Sequence, residues 1–303
     1  MHIDLTIAVA GLIVGLVVGL TGMGGGALMT PALVLLFGIQ PLAAVSSDLV
    51  AAFVMKPVGG AVHWRRGTVN RTLVTWLAIG SVPAAFLGVV LLRVLGNGSV
   101  VQSTVKTALG VALLVAAVML VVKAVLDVRR RVRTDGGAVA EPDPVVRPLP
   151  TLLVGVLGGL VVGMTSVGSG SLIIVLLLLL YPTLKAGDLV GTDLVQAVPL
   201  VGSAALAHVL FGDFKLGLTT SILIGSLPGV YVGARLSSSA PAWFVRRAIA
   251  VVLLASGLKT LDVPTVTIGW VLLAAIVLGP LLWARLRTVV EQSTGRRAVS
   301  TLA

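Results

Sequence analysis

The sequence predicts an all-α polytopic membrane protein that consists of two inverted repeats and one extra C-terminal span. Three observations lead to this prediction. The chain is too apolar for a soluble protein, its two halves carry the same sequence pattern, and its basic residues are unevenly distributed among the loops. Each repeat is expected to contain a broken helical hairpin with a glycine-rich tip, followed by three plain spans.

The composition is that of a protein embedded in lipid. Of the 303 residues, 57% are hydrophobic and only 11% are charged, whereas about 25% of the residues in an ordinary soluble domain are charged. Apolar runs of about 20 residues recur along the chain, and each could cross a hydrocarbon core roughly 30 Å thick. The 22 Lys and Arg residues outnumber the 11 Asp and Glu residues. Because most of them flank apolar runs, they are expected to orient spans on the bilayer, and we predict no nucleic-acid partner.

The two halves of the chain are internally homologous. Residues 15–31 read GLVVGLTGMGGGALMTP and residues 159–175 read GLVVGMTSVGSGSLIIV, an offset of 144. After one inserted residue the offset becomes 145, and Asp48 then aligns with Asp193 and His63 with His208. A match of this length indicates two copies of one structural unit.

The repeat defines four predicted segments. The first transmembrane repeat covers residues 1–126, and the second covers 150–262. Residues 127–149 form a basic linker rich in Arg, Pro and Gly, a composition that cannot bury a core. Residues 263–303 form the final span and a cytoplasmic tail.

The charge distribution predicts how the repeats lie in the bilayer. Residues 5–37 would be about 50 Å long as a single helix, too long for a simple crossing, so this segment must bend or fold back. If each broken segment is a hairpin, 17 of the 22 Lys and Arg residues lie on the side of the linker, 4 on the other side and 1 within a span. If the second segment crosses fully, the split is 11 to 10. Because Lys and Arg concentrate in the cytoplasm, we predict hairpins, inverted repeats, an outside N-terminus and a cytoplasmic C-terminus in the cell (plasma) membrane.

The glycine-rich tips are candidate anion sites. Consecutive glycines let the backbone unwind, and the helix that restarts after them directs free N–H groups and its positive dipole end at the break. The alternative is that these glycines only form tight turns or allow close helix packing. The predicted substrate-binding residues are Thr21, Gly22, Gly24, Gly25, Gly26, Ser47, Lys56, Thr165, Ser166, Gly168, Ser169, Gly170 and Thr192.

Four ionisable residues in or near the spans are candidates for proton coupling. Asp48 and Asp193 lie early in equivalent spans, where a carboxylate requires a partner, water or a proton. The alternative role for both is to brace the tips through hydrogen bonds. His63 and His208 end the same spans and could exchange protons near neutral pH, although such histidines are also used structurally.

Lys56 is the cation predicted within a span, and Val201 occupies the equivalent position in the second repeat. A buried lysine could supply positive charge for an anionic substrate. Alternatively, it could form a structural ion pair with Asp48 or Asp193.

The chain resembles the sulfite exporter TauE/SafE family of membrane permeases. The resemblance rests on GLVVGLTGMGGGALMTPAL from Gly15 and AAVSSDLVAAFVMKPVGGAVHWRRGTVN from Ala43, with weaker matches at TSVGSGS and GTDL. At the second tip, SVGSG replaces the triple glycine and Val175 stands where the first repeat has a proline. The resemblance implies transport of small sulfur oxyanions such as sulfite, or of organosulfonates.

The sequence therefore predicts a secondary transporter of a small anion that works by alternating access, coupled to protons. Its expected partners are the anion and the lipid bilayer, with a homodimer as one possible assembly. The alternative is a membrane scaffold or assembly factor that transports nothing. We predict no enzyme activity, cofactor or metal, because the chain has no cysteine, three widely separated histidines and no G-x-S-x-G elbow.

The predicted topology can be tested by tagging each terminus. We expect an N-terminal tag on intact cells or spheroplasts to react with an impermeant reagent, and a C-terminal tag to react only after the membrane is opened. Tags that report from the same side would contradict the inverted arrangement.

Overall fold

The computed structural model describes residues 4–21, 25–94, 98–135, 145–184, 186–236 and 242–279, and these residues confirm the all-α prediction. The helices of the first repeat are α1 (Leu5–Thr21), α2 (Gly26–Leu36), α3 (Pro41–Arg65), α4 (Arg71–Val94) and α5 (Ser99–Asp135). Those of the second are α6 (Pro148–Thr165), α7 (Leu172–Leu180), α8 (Ala186–Phe211), α9 (Leu216–Leu236) and α10 (Ala242–Thr260). The described part of the final span is α11 (Thr265–Gly279).

The helices have the length and surface of a multi-pass membrane protein. Within the described residues, six segments are long and apolar enough to cross a bilayer: Pro41–Arg65, Arg71–Val94, Ser99–Asp127, Pro148–Thr165, Gly187–Phe211 and Leu216–Gly233. Their outer faces expose large apolar side chains, such as Leu87 and Leu157, that are suited to contact with lipid. Helix α5 continues to Asp135, into the segment predicted as a linker. The predicted domain boundaries stay a prediction.

Separate helices flank both glycine-rich segments, as predicted, although residues 22–24 of the first segment lie outside the described residues. In the second repeat the two arms fold back on each other: Tyr181, which follows α7, lies next to the beginning of α6. Its hydroxyl accepts the backbone N–H of Arg147 at 2.8 Å and lies 2.6 Å from the hydroxyl of Thr151. In the first repeat, Ile7 of α1 belongs to the same buried cluster as Leu33 of α2. This fold-back is what the inverted arrangement requires, although the inverted arrangement itself stays a prediction.

The two repeats exchange their first helices. Helix α1 packs mainly on α9 of the second repeat, and α6 packs mainly on α4 of the first. Small residues bring the backbones together at equivalent points of the two contacts. A Cβ atom on Gly15 would lie 2.5 Å from the carbonyl oxygen of Ser226, and one on Gly159 would lie 2.4 Å from that of Ser81. Neither repeat can therefore pack in this way without the other.

Two further helix pairs connect the repeats. Helix α3 packs on α8, where Gly60 faces Val198, and α5 packs on α10, where Gly110 and Gly257 face each other. Each pair joins equivalent elements of the two repeats. The polar residues near the beginning of α3 and α8, which include Asp48 and Asp193, consequently lie where the two repeats meet.

The glycine contacts can be tested with a matched pair of alanine substitutions. Gly159→Ala inserts a methyl group into the α4–α6 backbone contact, and overpacking of this kind costs about 1–3 kcal/mol. Gly269→Ala on α11 adds the same methyl group where nothing lies within 4 Å. We expect a lower thermal unfolding midpoint in detergent for Gly159→Ala and an equal or higher midpoint for Gly269→Ala. Equal midpoints for the two variants would show that the contact has no role in stability.

Candidate functional site

The second tip is a buried, unwound turn between α6 and α7. It consists of residues 166–171, all of which are shielded from solvent. Ser166, Gly168 and Gly170 have φ angles of 61°, 122° and 97°. The two glycines fit here because side chains rarely tolerate such angles. Ser166 ends α6 by donating its backbone N–H to the carbonyl oxygen of Val162.

Lys56 and Asp193 meet the second tip at the beginning of α7. The Lys56 ammonium, from the middle of α3, donates a hydrogen bond to the Ser169 hydroxyl. The Asp193 carboxylate, from α8, accepts the backbone N–H of Gly170 and is attracted by the positive charges of Lys56 and Lys123. Among the described residues Lys56 makes no ion pair within 4 Å. This cation is therefore held close to the N-terminal end of a half-helix, without a direct carboxylate partner.

Asp48 lies in a different part of the same region and is fully buried. Its Oδ2 atom accepts hydrogen bonds from the hydroxyls of Thr30 on α2, at 2.7 Å, and of Ser166 at the second tip, at 2.8 Å. Its Oδ1 atom has no hydrogen-bond partner among the described residues. Asp48 thus ties both broken segments to α3.

The two tips touch each other. A Cβ atom on Gly26, at the beginning of α2, would lie 2.0 Å from the carbonyl oxygen of Ser166 and 2.5 Å from its hydroxyl. Only a glycine at position 26 allows this approach without displacing the second tip. Gly22 and Gly24 lie outside the described residues, and the side chain of Thr21 does as well. Gly25 lies beside Val18 and Met55.

Ser47 and Thr192 occupy equivalent positions and hold equivalent loops. The Thr192 hydroxyl accepts the backbone N–H of Asn70, just before α4, at 3.0 Å. The Ser47 hydroxyl lies 3.4 Å from the backbone N–H of Lys215, just before α9. These contacts brace the entry to the next span of the opposite repeat. The predicted role of both residues in substrate binding stays a prediction.

The two equivalent histidines have unlike surroundings. His208 is fully buried, with Nε2 2.8 Å from the carbonyl oxygen of Gly163 and Nδ1 2.8 Å from the hydroxyl of Ser46. Because a carbonyl oxygen only accepts hydrogen bonds, Nε2 carries a proton. His63 is partly exposed, and its Nδ1 lies 2.9 Å from the hydroxyl of Thr68. Proton exchange at these histidines, as at Asp48 and Asp193, stays a prediction.

Sequence reasoning missed two polar side chains near the aspartates. Thr30 binds Asp48, and Gln196, fully buried one turn after Asp193, donates its side-chain N–H to the Ser81 hydroxyl at 2.6 Å. Each is a polar residue within an apolar run, in ALMTPAL and LVQAVPL respectively. Such residues in a membrane helix generally find a polar partner. That pattern could have marked both.

A groove of about 580 Å³ runs between α5 and α6 and reaches the second tip at Thr165 and Gly168. Its other lining side chains are mostly apolar. Lys56, Asp48 and Asp193 do not line it. Of the predicted substrate-binding residues, Thr165 and Gly168 are the two that line this groove.

Comparisons with known proteins agree with the resemblance drawn from the sequence. The profile of the family described as "Sulfite exporter TauE/SafE" matches residues 7–260. The "Probable membrane transporter protein YjnA" of Bacillus subtilis (strain 168) is 41% identical over 260 residues, which cover 84% of this chain and 99% of the relative. The "Probable membrane transporter protein YdhB" of the same organism is 23% identical over 78% of this chain and 91% of the relative. No solved structure matches the chain. The chain therefore belongs to the sulfite exporter TauE/SafE family of membrane transporters.

Proposed function

We propose that this transporter moves a small sulfur-containing anion, sulfite or an organosulfonate, across the plasma membrane by alternating access about the two tips. The observation that carries the proposal is the position of Lys56. It brings a positive charge to the Ser169 hydroxyl at the beginning of α7, where the half-helix directs its N–H groups. Ammonium, hydroxyl and amide groups together suit an oxyanion with several acceptor oxygens.

The contact between the tips supports alternating access. Gly26 packs against Ser166, while Asp48, which accepts hydrogen bonds from Ser166 and Thr30, has no exposed surface, and neither does Thr30. A substrate at the tips must therefore be reached by relative movement of the broken segments. Discontinuous helices of this kind are the moving or binding elements of many secondary transporters. No observation favours the scaffold alternative, since the family and its relatives are named as transporters.

Asp193 is the carboxylate that we assign to proton coupling. It interacts electrostatically with Lys56 and lies at the same tip. When the anion binds Lys56, the negative charges of anion and carboxylate compete for one cation. Proton uptake by Asp193 relieves this competition, so that anion and proton move together.

Lys56→Met tests the anion site. We expect anion flux into proteoliposomes to fall by roughly tenfold or more, because a hydrogen bond to a charged group contributes about 1.5–3 kcal/mol. Lys106→Met is the matched control, since Lys106 pairs with Asp262 at the surface and should retain normal flux. Flux should be measured for sulfite, a short organosulfonate, sulfate and a carboxylate of similar size. Undiminished flux in Lys56→Met would remove this residue from the site.

Asp193→Asn tests the coupling. The amide keeps the shape of the side chain but cannot take up a proton, so we expect uphill accumulation driven by a pH gradient to disappear while anion exchange continues. Asp213→Asn is the control, because Asp213 is partly exposed beside Lys215. Accumulation that survives in Asp193→Asn would rule out this residue as the coupling group.

A further inference from the structure

We propose that Asp48, Thr30 and Ser166 form a binding site for Na⁺, distinct from the anion site at Lys56. The proposal concerns ion binding alone and does not depend on the identity of the transported anion. It gives Asp48 a role other than the proton coupling that the sequence suggests.

The oxygen atoms around Asp48 are arranged to receive a cation. The carboxylate is fully buried, and its Oδ1 has no partner among the described residues. The hydroxyls of Thr30 and Ser166 both donate to Oδ2. Since each hydroxyl uses its only hydrogen in this way, its lone pairs remain available as ligands. Na⁺ is a hard cation, and carboxylate, hydroxyl and carbonyl oxygens are the ligands that hard cations prefer.

The backbone carbonyl of Ser166 is a further oxygen at the contact between the tips. The carbonyl oxygen and the hydroxyl of Ser166 both face the Cα atom of Gly26, within the space that a Cβ atom would occupy. Ser166 also terminates α6 and has a left-handed backbone. The end of a half-helix and an unwound backbone are the elements that coordinate Na⁺ in transporters with broken helices.

Among the described residues Asp48 makes no ion pair within 4 Å, and the positive charge of Lys56 attracts it only from a greater distance. The C-terminal end of α6 adds partial negative charge, and the first amides of α2, which begins at Gly26, amount to half a positive charge at most. The nearest lysine along α3, Lys56, is bonded to Ser169 instead. A bound cation in direct contact would therefore stabilise this buried carboxylate further than the distant lysine does.

The hydrogen-bond geometry favours a metal ion over a proton. A proton on Oδ2 would compete with the two hydroxyls that donate to that atom, and a proton on Oδ1 would be a buried donor without an acceptor among the described residues. The Oδ1 atom of Asp193 is also unpartnered, but there the proposed anion would supply the acceptor. At Asp48, in contrast, a metal ion can use Oδ1 and the free lone pairs together. One carboxylate balances one positive charge, and the described residues contain no group of three His, Cys, Asp or Glu that could hold a metal ion of higher charge.

The asymmetry between the repeats supports a separate cation site. The positions equivalent to Thr30 and Ser166 are Ile174 and Gly22, so the counterpart carboxylate Asp193 lacks both hydroxyls. Lys56 attracts both carboxylates, Asp193 more strongly than Asp48. One carboxylate thus has two hydroxyls bonded to it, whereas the other lacks these hydroxyls and is attracted more strongly by the lysine.

Thermal unfolding of the purified protein tests the site without any transport measurement. The protein is heated in NaCl, KCl or choline chloride at equal ionic strength and constant pH. We expect a saturable increase in the unfolding midpoint of roughly 3 °C or more in NaCl over the other two salts. Binding of ²²Na⁺ to the same preparation gives a direct measurement.

Matched variants separate the cation site from the anion site. Asp48→Asn and Thr30→Val should lose both the Na⁺-dependent increase and ²²Na⁺ binding, while Thr30→Ser, which keeps the hydroxyl, should retain them. Lys56→Met should also retain them, even if it abolishes anion flux. Equal midpoints in NaCl and choline chloride, equal effects of K⁺ and Na⁺, or Na⁺ binding that persists in Thr30→Val would overturn the proposal.

Discussion

The backbone contact between helices of different repeats is the constraint on which the site depends. In a bilayer the lipid tails are as apolar as the side chains, so helices associate through close packing and hydrogen bonds rather than through burial from water. Glycines in α1, α4, α6 and α9 allow this approach, with Gly15 against Ser226 and Gly159 against Ser81. Because α1 and α6 each end in a broken tip, their packing on the opposite repeat brings the two tips together. The contact between Gly26 and Ser166 is thus a consequence of the packing of α1 on α9 and of α6 on α4.

Much of this arrangement could be predicted from one sequence because the chain contains two copies of the same unit. The helical class follows from the length of the apolar runs, and the breaks follow from their glycine content. The equivalence of Asp48 and Asp193 follows from the repeat. Contacts between the repeats could not be predicted in the same way. No local pattern indicates that Thr192 holds the backbone of Asn70, or that α1 leaves its own repeat to pack on α9. Such contacts depend on distance in space rather than on spacing along the chain.

The candidate site shows the same division between what a pattern predicts and what packing decides. Lys56 stood out as a cation in an apolar span, and the structure places it at a tip, as the anion hypothesis requires. The pattern left open whether its electrostatic partner is Asp48 or Asp193, and in the structure Lys56 attracts both, Asp193 the more strongly. Helix α3 carries Asp48 and Lys56 two turns apart, so the two side chains reach different parts of the second tip. Thr30 went unnoticed because its hydroxyl gains significance only when α2 lies beside α3.

Duplication followed by divergence provides a physical reason for the unlike tips. A strictly symmetric pair of tips would place the same charge at both carboxylates, and a substrate between them would meet two equal half-sites. Here the second tip contributes Ser166 to one carboxylate and Gly170 to the other, so a single buried turn contacts both Asp48 and Asp193. Movement of that turn changes the surroundings of both carboxylates at once. A shared turn of this kind can link the occupancy of one half-site to that of the other without any contact between the two bound ions.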